Sequence, residues 1–343
     1  MCGFKLTQIN ALNINLLSKY YNTLNVLNNN NNYFIEPLFE DFTKSKAHLY
    51  SSFKDKYKEF LISYNNSEIG FLNYMIYNFE GKPKELVFYI DILPENLSNE
   101  LNLFLAQKML FLINFHNTNK AKIYSTDIKL INLCKELNFE PINEYFYLKL
   151  NNLDKNNVSI IESDYSNYKI NTYNKISDNL AELIANSTIE IAKDAKFYTN
   201  DFNYCIVSKN DILSKQNFII NNGGFIVCAT IDNEFNEIIG FTYILFSKNS
   251  SKFIGNQCIT FIEKNYRGQN LALFFKYNLY KIIFENFSNI DYIFSEVSVL
   301  NNKMLKINAH LGYTKIESGV EFGIKDSILK NYINSNLTNY KPH

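Results

Sequence analysis

The stretch CITFIEKNYRGQNLALFF, from Cys258 to Phe275, joins the pattern of a β-strand to that of a long apolar helix. The polar turn between them contains Arg267, the only arginine among the 34 lysine and arginine residues of the chain. Gly268 follows, and glycine lets a backbone approach a ligand closely or adopt a positive φ. A helix N-terminus exposes free N–H groups and a partial positive charge. The stretch therefore predicts either an anion-binding turn or an ordinary strand-to-helix connection.

The helix pattern after the turn is regular and lacks acidic residues. Leu271, Phe275 and Leu279 recur at intervals of four, and Ile282 follows three residues later, which places them on one helix face. No Asp or Glu occurs in residues 265–284, so no carboxylate there would repel a bound phosphate.

Further patterns predict the other elements around this stretch. A strand, a helix and a strand in succession imply a parallel strand pair with a crossover. Helices are predicted for SDNLAELIANSTIEIA, with Ser177 as its cap, and for NNKMLKINAHLG, which ends at Gly312. The predicted strands, in chain order, are FIVCATID, IIGFTYILFS, NQCITFIE, IDYIFSEVSV and GVEFGIK.

The chain also repeats itself at an offset of 170 residues, which places Gly70 on Gly240 and ELNLFL on NLALFF. With a slightly larger offset, CKELNF falls on NAHLGY in the same order along the chain. Such a repeat indicates a duplicated domain. We predict domains at residues 1–150 and 160–335, with the polar, Asn-rich residues 151–159 as the linker.

The order of elements, with Arg-Gly opening the helix after the third strand, resembles the GNAT superfamily of acetyl-CoA-dependent N-acetyltransferases. The family signature at this turn is [Q/R]-x-x-G-x-[G/A]. This chain keeps Arg267 and Ala272 but has Asn270 in place of the middle glycine. Asn tolerates left-handed φ better than most residues, so the turn can still form. The pattern NxxMxxINxxLGY, from Asn301 to Tyr313, is similar to tandem members of the superfamily.

The resemblance implies an α/β (α+β mixed sheet) fold of two tandem GNAT-like domains. Each would be a mainly antiparallel sheet with a central parallel strand pair and flanking helices. It also implies an acetyl-CoA (coenzyme A) site in the C-terminal domain. Backbone N–H groups of the turn would hold the pyrophosphate, and the preceding strand would pair with the pantetheine arm. The predicted cofactor-binding residues are Phe261, Ile262, Arg267, Gly268, Gln269, Asn270, Leu271, Ala272 and Asn301.

The catalytic groups are less clearly marked. Glu296 matches a position at which some family members carry a base carboxylate, or it is a solvated sheet-edge residue. The resemblance implies a proton donor on the helix that ends at Gly312, where this chain has Asn308, which is not an ordinary acid. Histidine is a common proton-transfer residue, but His310 also fits a surface helix position. Cys258 fits the core better than the role of a nucleophile.

The resemblance implies transfer of an acetyl group to a primary amine on a small molecule or a peptide. The acceptor would lie near the first helices of the second half, unless the acidic and aromatic residues there form a solvated face. Two alternatives remain: a non-catalytic CoA-binding or interaction protein, and a tandem acyltransferase with another acyl donor. The candidate acceptor residues are Glu190, Asp194, Tyr198 and Asp201.

The equivalent turn in the first half has a different chemistry. Leu97 falls on Arg267 and Ser98 on Gly268, while Glu100 falls on Asn270. Ser98 is a good helix cap and Glu100 suits the helix dipole, so the helix start would be satisfied internally. We therefore predict that the first half is a degenerate, non-catalytic GNAT-like domain that keeps the fold without the cofactor.

Composition narrows the class of protein further. The 34 basic and 34 acidic residues cancel, which argues against a nucleic acid or an anionic membrane as a partner. The five cysteines form no CxxC pair, so no metal site is expected. The apolar run LFLAQKMLFLI is interrupted and too short to span a bilayer. These features predict a cytoplasmic protein, and they leave the oligomeric state open.

Overall fold

A computed structural model of the chain describes residues 3–9, 13–29, 46, 56–77, 84–153, 165–194, 207–249 and 251–339. The helices are α1 (Ile14–Asn29), α2 (Asn99–Phe115), α3 (Ile128–Glu136), α4 (Asp178–Asp194), α5 (Lys209–Asn221), α6 (Leu271–Asn286), α7 (Asn302–His310) and α8 (Asp326–Asn339). The strands are β1 (Phe4–Gln8), β2 (Tyr57–Tyr64), β3 (Ser67–Tyr77), β4 (Glu85–Ile92), β5 (Lys120–Ser125), β6 (Glu140–Leu150), β7 (Lys169–Tyr173), β8 (Phe225–Asp232), β9 (Ile238–Asn249), β10 (Lys252–Ile262), β11 (Ile290–Ser298) and β12 (Thr314–Lys325). No helix in these ranges is long and apolar enough to cross a membrane.

Two compact units repeat one strand order. The first unit runs to Glu144 and resumes at Gly319, and the second contains the described residues from Tyr145 to Ser318. The strands follow the order β1-β2-β3-β4-β5-β12 in the first unit and β7-β8-β9-β10-β11-β6 in the second. All neighbours are antiparallel except β4–β5 and β10–β11, which are parallel. This confirms the predicted pair of similar mixed sheets with a central parallel pair.

The sixth strand of each unit comes from the other half of the sequence. The end of β12, residues 320–325, pairs with β5 of the first unit, and the end of β6, residues 145–150, pairs with β11 of the second. A fragment that begins at residue 160 would therefore lack the neighbour of β11. The predicted linker, residues 151–159, falls outside the described residues from position 154 onward.

Helices cover both faces of the second unit's sheet. On one face α4 and α5 pack on β8, β9 and β10, and on the other face α6 and α7 pack on β8 to β11 and β6. Three residues of the predicted apolar stripe of α6, Leu271, Phe275 and Leu279, are each at most 1% exposed, whereas the fourth, Ile282, is only half-buried. Burying each such side chain contributes roughly 1.5–3 kcal/mol. Ser177 Oγ accepts a hydrogen bond from the Leu180 N–H, which confirms the predicted cap of α4.

Asparagine provides the left-handed turns of this chain. All six non-glycine residues with positive φ in the described part of the chain are asparagines. In the two units, Asn138 (φ 56°) and Gly312 (φ 92°) occupy equivalent turns, each followed by a residue that bonds back to the preceding helix. The chain thus uses Asn in one unit where it uses glycine in the other, in line with the tolerance of Asn for this conformation.

The repeated glycine pair also has a structural reason. Gly240 pairs with Ile262 and Gly70 with Ile92, so both glycines lie opposite the ends of equivalent strands. A Cβ atom on Gly240 would lie 2.6 Å from the backbone oxygen of Phe261. Only glycine allows β9 to approach the end of β10 this closely.

We predict that Gly240→Ala destabilises the protein by roughly 1–3 kcal/mol, because the added methyl group must displace backbone. Urea unfolding followed by circular dichroism measures the change. Ser247→Ala, at an exposed position on the same strand, is the matched control and is expected to be neutral within about 0.5 kcal/mol. Equal stability of the two variants would contradict the close approach.

Candidate functional site

The parallel pair β10–β11 is hydrogen-bonded over only part of its length. Its last pair is Gln257 with Ser295, although β10 continues to Ile262 and β11 to Ser298. We call Cys258–Ile262 the open edge of β10. Its other side stays paired with β9 through Ile262 and Gly240. Peptide groups on the open edge can accept an added extended chain, as an edge strand does.

A β-bulge marks the start of the open edge. Gln257 pairs with Ile244 and Thr260 with Thr242, so β10 has one extra residue relative to β9. A bulge bends its strand and increases the local twist. In the first unit, the corresponding strands β3 and β4 pair without a register shift from Gly70 to Tyr77. The bulge is therefore a feature of the second unit, and it was not predicted from the sequence.

The turn after the open edge leads into a helix without a side-chain cap. Gly268 has φ 86°, and among the described residues beyond its chain neighbours no atom lies within 4 Å of a Cβ placed there. Asn270, the N-cap residue, has φ 58° and makes no side-chain cap hydrogen bond. The first N–H groups of α6 have no intrahelical acceptor, as at any helix start. The predicted left-handed conformation of Asn270 is therefore present, and the start of α6 is open.

The equivalent helix start in the first unit is closed. Ser98 Oγ accepts a hydrogen bond of 3.2 Å from the Leu101 N–H, and Glu100 lies in the first turn of α2. The predicted cap is confirmed. This helix start already has a hydrogen-bond acceptor and a negative charge.

Two tyrosines hold the turn before α6 in place. Tyr165 Oη donates to the backbone oxygen of Gln269 over 3.0 Å, and Tyr168 Oη to its side-chain oxygen over 3.2 Å. Tyr165 also stacks on Phe274, with ring centroids 4.2 Å apart. These contacts bind the two carbonyl oxygens of Gln269 and thereby fix the orientation of the turn. No sequence pattern linked the two tyrosines to this turn, because they lie about 100 residues earlier in the chain.

The side chain of Arg267 binds to the end of β10 and to α4. Its Nε donates to the backbone oxygen of Ile262 over 2.7 Å, and its Nη2 lies 2.8 Å from Glu190 Oε1. Its guanidinium also lies over the ring of Phe261 at 5.6 Å, and its own N–H bonds to Lys264. Arg267 thus joins the end of β10 to α4 and fixes the turn, while Glu190 balances its charge.

Two other predicted residues follow the last residue of β11 that is paired with β10. Glu296 is exposed on β11, immediately after the last residue paired with β10, and lies opposite Tyr147 of β6. Asn301 is the N-cap of α7, where its side-chain oxygen accepts from the Met304 N–H over 3.1 Å. Glu296 therefore occupies a place where a base is accessible, and Asn301 has a capping role in addition to the predicted one.

The remaining candidates have mixed outcomes. His310 is exposed on α7, and its Nδ1 lies 2.8 Å from the Lys306 carbonyl, as a surface helix position requires. Desolvation raises the pKa of the half-buried Cys258 thiol, which makes a thiolate less accessible. Asp194 ends α4, but its side chain, like Tyr198 and Asp201 as a whole, lies outside the described residues.

A buried lysine, missed by the sequence analysis, lies between α6 and α7. Lys276 is 1% exposed, and its Nζ donates to Asn308 Oδ1 over 2.7 Å. The Nζ also lies 3.8 Å from Met304 Sδ and 5.6 Å from the ring centroids of Tyr280 and Tyr313. Burial lowers the pKa of Lys276 from 10.5 to about 7. The sequence could have indicated this cluster, because Lys276 precedes Tyr280 by four residues and therefore lies on the same helix face.

Hydrogen bonds connect this region to the start of the open edge. Tyr280 Oη donates to Gln257 Oε1 over 2.6 Å and lies 2.8 Å from Tyr313 Oη. Gln257 Nε2 donates in turn to Thr242 Oγ1 over 2.9 Å, and Thr260 Oγ1 lies 2.9 Å from the same oxygen. The polar groups thus extend from α6 to the bulge of β10.

We predict that Lys276→Met reduces the pH dependence of stability. Between pH 7 and 10.5, the Lys276 side chain is protonated in the unfolded state but largely neutral in the folded state. The free energy of unfolding therefore rises with pH, by up to about 1.4 kcal/mol per pH unit. Urea unfolding at several pH values from 7 to 9 measures this slope. The exposed Lys281→Met, on the same helix, should keep the wild-type slope. Identical slopes in all three proteins would contradict a lowered pKa.

Comparison with solved structures finds one fold along nearly the whole chain. A tandem GNAT protein from the clavulanic acid biosynthesis pathway, in a structure without AcCoA, matches with a TM-score of 0.70 and 11% identity, over 94% of this chain and 98% of that one. A GCN5-related N-acetyltransferase from Sphaerobacter thermophilus matches with a TM-score of 0.63 and 10% identity, over 94% and 96%. A glucosamine N-acetyltransferase region of a fungal multi-domain β-N-acetylglucosaminidase matches with a TM-score of 0.61 and 10% identity, over 94% and 38%.

These matches define the class of protein as one with the GNAT acetyltransferase fold. More narrowly, the chain has the tandem GNAT fold, as its repeat and its strand–turn–helix stretch predicted. Comparisons with protein-family models and with curated protein sequences find no match.

Proposed function

We propose that the chain is an acetyl-CoA-dependent N-acetyltransferase whose single active site lies in the second unit. The observation that carries this proposal is the combination of an open strand edge and an uncapped helix start, joined by one short turn. The first unit has the same strand order, but its helix start is capped by Ser98 and has Glu100 in its first turn. A carboxylate at that position would repel a phosphate.

The residues of the second unit fit coenzyme A. The N–H groups at the start of α6, near Asn270, Leu271 and Ala272, would bind the pyrophosphate, as other helix starts bind anions. The space around Gly268 lets a ligand approach the backbone. The open edge of β10 would pair with the amide groups of the pantetheine arm, and the carbonyl of Ile262 is already bound by Arg267.

The protein side chains would then provide positioning and proton transfer. When bound, acetyl-CoA supplies the acetyl thioester. Backbone N–H groups of the open edge would polarise the thioester carbonyl. Glu296 would accept a proton from the attacking amine, directly or through water, because a protonated amine cannot attack. The acceptor is a primary amine on a small molecule or a peptide, and the protein is proposed to act in the cytoplasm.

We predict that Asn270→Glu weakens acetyl-CoA binding at least tenfold. Glutamate tolerates the left-handed conformation poorly, and its charge would lie beside the pyrophosphate. Titration calorimetry with acetyl-CoA measures the affinity. Asn270→Gly is expected to bind like the wild type, as is Glu100→Asn in the first unit. Normal binding by Asn270→Glu would place the site elsewhere.

We also predict that Glu296→Gln lowers turnover roughly 100-fold while acetyl-CoA affinity stays the same, because the variant removes a base and no proposed cofactor contact. Release of free thiol from acetyl-CoA, with a pool of peptides, polyamines, amino acids and aminoglycosides as acceptors, measures turnover. The exposed Glu285→Gln should react at the wild-type rate. Full activity of Glu296→Gln would exclude it as the base.

A further inference from the structure

Lys276 is a buried cation without a compensating anion. In the described part of the chain, its three ammonium hydrogens have one strong acceptor, Asn308 Oδ1, and a weak one, Met304 Sδ. No carboxylate in the described part of the chain lies within ion-pair distance of it. A buried charge of this kind is costly unless a partner compensates it.

The neighbouring amide has an unused donor. Asn308 is 0% exposed, and its Nδ2 makes no hydrogen bond in the described structure. Buried polar groups in proteins are normally paired, so an unpaired amide beside an unpaired cation indicates a ligand with acceptor atoms.

The duplication shows that the fold does not need these polar groups. In the first unit, Ala106 corresponds to Lys276 and Cys134 to Asn308. The tyrosines are replaced as well, since Leu110 corresponds to Tyr280 and Phe139 to Tyr313. Three of these four counterparts are buried and the fourth packs against the same hydrophobic core. An apolar core fills this place in one unit, so the polar cluster in the other is expected to have a function.

We propose that Lys276 is the catalytic acid of the second unit and donates its proton to the sulfur of coenzyme A as the thioester is cleaved. This inference rests on the proposed acetyltransferase function. The Asn308 amide would hold the Lys276 Nζ and donate to the same ligand. Lys276 lies beside the Tyr280 ring, and Tyr280 donates to Gln257, the last residue of β10 that is paired with β11, so a hydrogen bond connects the cluster to the start of the open edge.

The proposed step is balanced in atoms and charge. The amine nitrogen forms a bond to the acyl carbon, and the carbon–sulfur bond breaks with its electron pair going to sulfur. The sulfur takes a proton from Lys276 Nζ, and the surplus proton of the amine goes to Glu296 or water. Lys276 regains a proton from solvent after the products leave, while Glu296 loses one to solvent.

The surroundings of Lys276 favour this transfer. Its pKa of about 7 lies below the value of roughly 8.5 for an ordinary thiol, so the proton moves downhill to a thiolate. The titratable side chains packed against it in the described structure are Tyr280 and Tyr313. Burial raises the pKa of both, so neither is charged near neutral pH. From α7 it faces Asn308 and Met304, which do not titrate.

The test compares coenzyme A with desulfo-coenzyme A, which lacks the sulfur atom. Calorimetric titrations use the full-length wild type, Lys276→Met and Lys281→Met. We expect the wild type and Lys281→Met to bind coenzyme A about tenfold more tightly than the desulfo analogue, because a charged hydrogen bond to sulfur is lost. In Lys276→Met this preference should disappear, with the affinity for desulfo-coenzyme A unchanged.

The outcomes separate the two proposals. If the wild type binds neither compound, the proposed function fails and the inference fails with it. If the wild type binds both and Lys276→Met keeps the tenfold preference, the function stands and Lys276 is not the acid. If Lys276→Met does not fold, the pKa of the coenzyme A thiol bound to the wild type, measured by the ultraviolet absorbance of the thiolate, tests the contact instead. A bound thiol that ionises at a lower pH than free coenzyme A supports the contact, and an unchanged pKa overturns it.

Discussion

The site depends on the end of pairing between two parallel strands. After Gln257 and Ser295, β10 and β11 continue without hydrogen bonds to each other, and a bulge bends β10 at the same place. The open edge that results lies directly before a turn into an uncapped helix. An extended ligand with an anionic end fits such an arrangement, because its arm pairs with the strand and its phosphates reach the helix start.

Two features keep this arrangement in place although it leaves backbone groups unpaired. Arg267 bonds the carbonyl of Ile262 and reaches Glu190, while Tyr165 and Tyr168 hold Gln269. The sheet itself is completed by β6, a strand from the first half of the sequence. Arg267 therefore stabilises the turn through these contacts. The backbone N–H groups at the start of α6 are the part of the turn that can bind an anion.

The sequence predicted the local elements well and the long-range ones poorly. The strand FIVCATID was predicted with its observed ends, and the left-handed Asn270 followed from the family pattern. The exchange of β6 and β12 could not be predicted, because a strand pattern does not specify its partner. The bulge of β10 could not be predicted either, because an extra residue is recognised only by comparison with the paired strand, β9. The burial of Lys276 could have been predicted, because this lysine lies within the apolar pattern of α6.

The internal duplication gives each proposal a control within the same chain. At the helix start, Asn270 is replaced by Glu100, and in the helix interior Lys276 is replaced by Ala106. Both differences remove groups that would contact coenzyme A, and both leave the strand order of the unit intact. We therefore propose that one unit has kept the fold alone, whereas the other has groups that the fold does not require.

A crystal structure of the chain grown with coenzyme A tests the central claim most directly. The account predicts one molecule per chain, with its pyrophosphate at the N–H groups that begin α6, its pantetheine arm along Cys258–Ile262 and its sulfur within hydrogen-bond distance of Lys276 Nζ. Coenzyme A bound at the start of α2, or away from the open edge of β10, would contradict it.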